Sequence, residues 1–134
     1  MNLRTMIVAV PLCLLLAASV AWASDFRIKG YFKDRATNRI FTIEYRGDPG
    51  ADQARRYAEQ RPYAAGQMTA VYFYPAGSRM PVDGITRAKN LFDANRILYD
   101  VPGLAAWRYA YMRGFDGRSQ FVDCLESAGH DLCR

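Results

Sequence analysis

Two stretches near the start of the charged part of the chain alternate between apolar and polar side chains. Residues 26–33 place Phe26, Ile28 and Phe32 opposite arginine and lysine side chains, and residues 40–46 repeat the alternation. A period of two is typical of strands that have one buried and one wet face. Because a short, largely polar segment separates the two stretches, the pattern predicts an antiparallel hairpin.

The spacing then changes to a helical one and back again. Asp48 offers a capping carboxylate, Pro49 suits a first helical turn, and apolar side chains recur three to four positions apart over residues 51–61. Residues 68–74 combine β-branched and aromatic side chains without a charge, which is typical of a strand covered on both faces. We therefore expect a short helix followed by the central strand of the sheet.

A turn-rich segment and a second helical pattern follow. Residues 75–84 contain two prolines and two glycines, which indicates a loop. From Ile85 to Tyr99 the apolar side chains keep helical spacing while the charged ones fall elsewhere, so the pattern predicts an amphipathic helix over residues 85–99.

In the stretch AWRYAYMRGFDGRSQFVDC, residues 106–124, rings recur at every second position at Trp107, Tyr109 and Tyr111. A two-residue turn at Asp116-Gly117 would make it a hairpin with Tyr111 opposite Val122 and Tyr109 opposite Cys124. The pattern then predicts one apolar face that carries Trp107, Tyr109, Tyr111 and Phe115. A helix over residues 102–113, begun by Pro102 and capped by Gly114, is the alternative.

With strands at this position the predicted order is β-β-α-β-α-β-β. This order predicts an α+β fold, a small two-layer sandwich in which a mostly antiparallel sheet of about five strands carries two helices on one face. Residues 24–134 form the single predicted domain.

The first 23 residues differ from the rest in composition. Arg4 is their only charge, a long apolar run follows, and Ala21-Trp22-Ala23 supplies the small residues that a signal peptidase reads. The segment is predicted to be a signal peptide cleaved before Ser24. An uncleaved membrane anchor is the alternative, because the run approaches the ~18 apolar residues of a membrane span. Export to the periplasm or secretion is the predicted location, with no stable membrane insertion after cleavage.

Charge and cysteine content narrow the class of protein. The full chain has a formal net charge of +5, and 15 of its 18 basic residues are arginine. They are spread along the sequence without a tight run, which argues against a nucleic-acid footprint. Cys124 and Cys133 remain after cleavage of the leader. In an oxidising compartment such a pair predicts a disulfide, since their spacing matches neither a redox motif nor a common zinc site.

Candidate chemistry is sparse. His130 is the only histidine and could act as a general base with Ser78 or Asp131, but no hydrolase, phosphate-loop or metal-ligand motif accompanies it. No catalytic residue other than this weak candidate, no metal and no cofactor is therefore expected. The oligomeric state is left open.

Two candidate binding sites remain. In the 75–84 loop, Ser78 and Arg79 could meet an anion at the start of the following helix. Exposed rings beside arginines could also form a patch of the kind that is enriched at protein interfaces. The residues proposed for this aromatic-arginine surface are Tyr31, Tyr72, Tyr74, Arg108, Tyr111 and Arg113.

The sequence thus favours a small, exported, non-catalytic binding or accessory protein of the cell envelope. Its partner would be a protein or an anionic envelope polymer that contacts the aromatic-arginine surface. The alternatives are a small secreted hydrolase that uses His130 as general base, and a purely structural component.

Overall fold

The computed structural model describes residues 25–101, 103 and 106–133. The predicted signal peptide, residues 1–23, lies outside the described residues. The strands are β1 (Asp25–Lys33), β2 (Arg39–Arg46), β3 (Thr69–Pro75), β4 (Tyr109–Arg113) and β5 (Ser119–Asp123). The helices are α1 (Ala51–Glu59), α2 (Asp83–Thr86) and α3 (Leu91–Asp100).

The five strands form one sheet in the order β1-β2-β3-β4-β5. Every neighbouring pair is antiparallel except β2 and β3, which are parallel and joined by α1. Parallel neighbours need a crossover, which α1 provides. The α+β class, the mostly antiparallel sheet and the order β-β-α-β-α-β-β are confirmed. The strand prediction for residues 109–113 is also correct, so the helical alternative for residues 102–113 is wrong there.

The two main helices lie on opposite faces of the sheet, which corrects the prediction of a two-layer sandwich. Ala54 and Ala58 of α1 pack on the face that carries Phe41 and Val71. On the other face, Ala94 and Leu98 of α3 pack with Ile40, Tyr72 and Tyr74. Side chains of adjacent strand residues point to opposite faces, so both sides of the uncharged β3 are buried. The sheet is therefore the middle layer of three.

A bulge in β1 explains why its apolar side chains do not share one face. The register with β2 shifts between Ile28 and Gly30, and such an extra residue reverses which side chains face the core. Phe26 joins the cluster under α1, whereas Phe32 joins the cluster under α3. Ile28 is 46% exposed, so its predicted burial is wrong.

The helix predicted over residues 85–99 is interrupted. α2 is a single four-residue turn and α3 starts separately after Asn90, whose side chain accepts the N–H of Asp93 at 2.8 Å. An asparagine that can cap a helix competes with continuation of the preceding one. The N-cap of α1 is Gly50 rather than Asp48.

The β4-β5 hairpin has a three-residue loop instead of the predicted two-residue turn. Gly117 N–H donates to the Gly114 carbonyl at 3.0 Å, Gly117 has φ +81°, and Gly114 N–H donates to the Arg118 carbonyl at 2.9 Å. This is a turn closed by a left-handed glycine. The extra loop residue moves the register by one, so Tyr111 lies opposite Phe121.

The last described residues are tied to the sheet. Cys124 and Cys133 form a disulfide, with their Cα atoms 5.5 Å apart, as predicted. Between them Leu132 is buried in the cluster under α3. The bridge therefore holds the tail against the face that α3 covers.

Candidate functional site

The predicted aromatic surface is mostly core. Tyr72 and Tyr74 are fully buried and Tyr111 is 5% exposed, so the idea that these rings form an exposed face is wrong. Of the four tyrosines proposed for this surface, only Tyr31, at 37% exposure, presents a substantial part of its ring to solvent. Its ring centroid lies 4.8 Å from that of Phe41. The sequence spacing could not separate these cases, because β3 and β4 are buried on both faces.

Trp107 organises the rings on the α3 face. Its ring centroid lies 4.6 Å from that of Tyr72 and 5.1 Å from that of Tyr99. The indole Nε1 donates to the Leu132 carbonyl at 2.8 Å, and the hydroxyls of Tyr72 and Tyr99 are 3.2 Å apart. Burial raises the pKa of Tyr72 well above its ordinary value. These rings connect the sheet to α3 and to the C-terminal tail, and they belong to the core and not to an exposed surface.

Arg108 makes the best-formed ion pair of the sheet. Its Nε donates to Oδ1 of Asp123 at 2.9 Å and its Nη2 donates to Oδ2 at 3.1 Å. The side chains are 28% and 11% exposed, respectively, and the guanidinium carbon lies 4.9 Å from the Tyr109 ring centroid. The hydrogen bond from Arg108 lowers the pKa of Asp123, and the same bond raises the pKa of Arg108. Arg108 is therefore held in place and its charge is neutralised.

A pocket opens beside this ion pair at one end of the sheet. It has a volume of about 230 Å³ and lies where β2 and β3 end, where β4 begins and where the chain leaves β5. Leu125 at its rim is 73% exposed, and the N–H of Leu125 donates to Asp123 Oδ1 at 3.0 Å. We call it the sheet-end pocket; its described lining residues are Tyr45, Pro75, Ala106, Trp107, Arg108, Cys124 and Leu125.

The β5 edge next to this pocket has main-chain groups that face away from the sheet. Cys124 N–H donates to the Arg108 carbonyl at 2.8 Å. Since the main-chain groups of alternate residues in an antiparallel pair face the partner strand, those of Ser119 and Phe121 point away from β4. No described strand pairs with that edge. The carbonyl of Asp123 is already used, because it accepts N–H groups of the following turn.

Arg113 lies away from the sheet-end pocket. Its guanidinium carbon is 3.9 Å from the Tyr63 ring centroid, and its Nε donates to the Gly117 carbonyl at 3.2 Å. Arg108 immediately precedes β4 and Arg113 ends it, so their Cα atoms are about 17 Å apart at ~3.4 Å per residue. The structure therefore does not bring the two arginines into one patch.

The 75–84 loop does not assemble the predicted anion site. The Ser78 hydroxyl donates to the Pro75 carbonyl at 2.5 Å. Arg79 instead lines a shallow cavity of about 380 Å³ together with Asp83 and residues from the end of α3. The helix that begins here, α2, has four residues. Ser78 is thus satisfied locally, and a carboxylate shares the cavity with Arg79.

His130 lies in the loop that the disulfide closes. Its Nδ1 accepts the Leu132 N–H at 3.1 Å, which holds the ring against its own loop. Within residues 25–101, 103 and 106–133, no group of three or more histidine, cysteine or acidic side chains could hold a metal ion. The general-base role of His130 stays a prediction.

The sequence pattern predicts neither the sheet-end pocket nor the partner of Arg108. In the β4-β5 register Asp123 lies opposite Tyr109, so its contact with Arg108 is a diagonal one that the register alone does not predict. Tyr45, Pro75 and Leu125 come together only when the ends of three strands meet, for which spacing gives no signal. No protein-family model, curated protein or solved structure matches the chain.

Proposed function

We propose that the chain is a small exported binding protein that captures a protein partner at the sheet-end pocket and the adjacent β5 edge. The single observation that carries this proposal is the pocket itself, because it is concave, largely apolar and rimmed by the exposed Leu125. The role is non-catalytic. Of the two partner classes that the sequence left open, a protein is favoured at this site over an anionic polymer.

The size and charge of the pocket favour one apolar side chain as the inserted group. A volume of about 230 Å³ is below the roughly 300–1,000 Å³ of pockets for drug-sized ligands. Asp123 neutralises Arg108, so an acidic polymer would gain little there. An apolar side chain would contact Pro75, Trp107 and Leu125, and anchors of this kind dominate protein interfaces.

The β5 edge favours a polypeptide over other polymers. The outward donors and acceptors of Ser119 and Phe121 repeat at strand spacing, which another extended main chain matches. The pocket begins where β5 ends, at Cys124 and Leu125. A partner segment added to β5 would therefore lead directly to the pocket.

The disulfide and the ion pair beside Leu125 support a binding role for an exported protein. The disulfide and the Arg108–Asp123 pair hold the chain on both sides of Leu125, which reduces the entropy lost on binding. Disulfides persist in the periplasm or outside the cell. No helix in the described part of the chain is long and apolar enough to cross a membrane.

The test is affinity capture by the full chain, processed by its host, followed by variants that alter only the pocket. Ala106 is exposed and lines the pocket, so Ala106→Trp should fill it and weaken the captured interaction at least tenfold. Leu125→Asp should act similarly, since it places a charge on the apolar rim. Phe92→Asp is the matched control, because Phe92 is 81% exposed on α3.

The result would contradict the proposal if both pocket variants bound the captured protein as tightly as the wild type. Equal weakening by Phe92→Asp would also contradict it, because the effect would then reflect general surface polarity. Circular dichroism and thermal unfolding of each variant exclude misfolding as the cause.

A further inference from the structure

We propose a second binding site for a linear phosphate polymer in a basic cleft at the opposite end of the molecule. The cleft lies between the β1-β2 turn and the connection from α2 to α3. It has a volume of about 510 Å³. We call it the basic cleft; its lining residues are Phe32, Lys33, Asp34, Arg35, Ala36, Ala88, Lys89 and Asn90.

Three cations line the cleft from two sides. Lys33 and Arg35 belong to the β1-β2 end, and Lys89 belongs to the helix connection. All three are exposed. Among the described residues, none of the three forms an ion pair with a carboxylate. Six arginines of the described chain do form such pairs, whereas the three cations of the cleft walls do not.

The nearest carboxylates, Asp34 and Asp93, accept hydrogen bonds from groups that form the walls of the cleft. Asp34 accepts the main-chain N–H and the side-chain N–H of Asn38, both at 2.8 Å, which fixes the β1-β2 turn. Asp93 accepts the Lys89 N–H at 3.0 Å and an Arg96 N–H at 3.0 Å. One carboxylate therefore lines the cleft against three cations, and the excess positive charge is available to a ligand.

The cleft fits a phosphate polymer better than a single ion or a carboxylate polymer. Its volume is within the range of sites for molecules much larger than one phosphate. A phosphate group carries several acceptor oxygens and can contact cations on both walls, whereas a carboxylate presents two oxygens in one plane. The guanidinium of Arg35 can bind a phosphate with two parallel bonds.

This site is independent of the proposed protein-binding function. The basic cleft adjoins the start of β2, whereas the sheet-end pocket adjoins its end at Tyr45. Seven residues of extended strand separate the two by about 20 Å. Loss of one activity should therefore leave the other unchanged.

The test is titration of the full chain with fluorescently labelled inorganic polyphosphate of defined length, followed by anisotropy at fixed salt. Lys33→Glu and Lys89→Glu should each weaken binding about tenfold, the loss expected for one charge-assisted contact. Lys29→Glu is the matched control, because Lys29 is an exposed lysine on the same strand but outside the cleft. It should change affinity less than threefold.

Several results would overturn the proposal. They are no measurable binding, equal weakening by the Lys29 and Lys33 variants, equal affinity for poly-glutamate, and tighter binding of a single-stranded oligonucleotide with the same number of phosphates. Full competition by an equal molar phosphorus concentration of orthophosphate would show a single-ion site and would also contradict it.

Discussion

The ion pair between Arg108 and Asp123 should be a main local contributor to stability at the sheet-end pocket. Replacing Asp123 by alanine removes two bonds from Arg108 and one from the Leu125 N–H. Bonds to charged groups contribute about 1.5–3 kcal/mol each in favourable cases, and exposed pairs contribute only about 0–1 kcal/mol. For side chains that are 28% and 11% exposed, we expect Asp123→Ala to lower the free energy of unfolding by about 2–3 kcal/mol.

The pH dependence has a defined sign. The pKa of Asp123 is lowered in the folded chain, so the stabilisation is fully present above the ordinary aspartate pKa of about 3.9. It is lost as the pH falls through the lowered folded pKa. The difference in stability between wild type and Asp123→Ala should therefore be constant near neutral pH and shrink below about pH 4.

Urea denaturation followed by Trp107 fluorescence provides the measurement. The chain has two tryptophans, and Trp22 belongs to the predicted signal peptide, so Trp107 is the only reporter in the processed chain. The control is Arg118→Ala, which breaks a pair whose side chains are 90% and 64% exposed and should change stability by less than about 0.5 kcal/mol. A loss below that value for Asp123→Ala, or a difference that persists unchanged at pH 2, would refute the reasoning.

Three further predictions concern the frame around the site. Reduction of the Cys124–Cys133 bridge should lower the free energy of unfolding by about 2–3 kcal/mol. Intact-mass measurement after thiol labelling should show two free thiols only when the chain has been reduced. Thiols that are labelled without reduction would argue against the bridge. Gly30→Ala should destabilise by about 1–3 kcal/mol, because its Cβ would lie at or within 3.0 Å of atoms from two other elements, whereas Gly129→Ala, with open space around it, should be neutral in the same melts. Burial raises the pKa of Tyr72, so the folded chain favours the neutral phenol. This contribution to stability is fully present below the ordinary tyrosine pKa of about 10 and is lost as the pH rises further. Tyr72→Phe should reduce the loss of structure at alkaline pH that circular dichroism measures.

The strands could be predicted because their signal is local. Alternation over residues 26–33 and 40–46 and the uncharged run of β3 identify strands. The alternation does not identify the buried faces, since Ile28 is 46% exposed and Thr42 is fully buried. The faces on which the helices pack could not be read in this way. The parallel β2-β3 pair and its crossover place α1 on one face, and the broken second helical region packs on the other. Such a choice depends on contacts between residues far apart in sequence.

For residues 106–124 the predicted hairpin is correct, but its register and the predicted exposed surface are wrong. The turn at Asp116-Gly117 was located correctly, but the loop has three residues, and a slip of one reverses the faces of a strand. Arg108 was proposed as a binding residue, and its ion-pair partner Asp123 was not recognised. Tyr72 was selected for its aromatic character, although β3 is covered on both sides and the ring belongs to the core.

The central claim is that a protein partner adds to the β5 edge and fills the sheet-end pocket. Amide hydrogen exchange of the chain, measured by NMR free and with the captured partner bound, tests it most directly. In the free chain Ser119 and Phe121 should exchange rapidly while Val122 is protected by β4. A bound partner should protect the amides of Ser119 and Phe121; unchanged exchange at both, with protection confined to other elements, would contradict the claim.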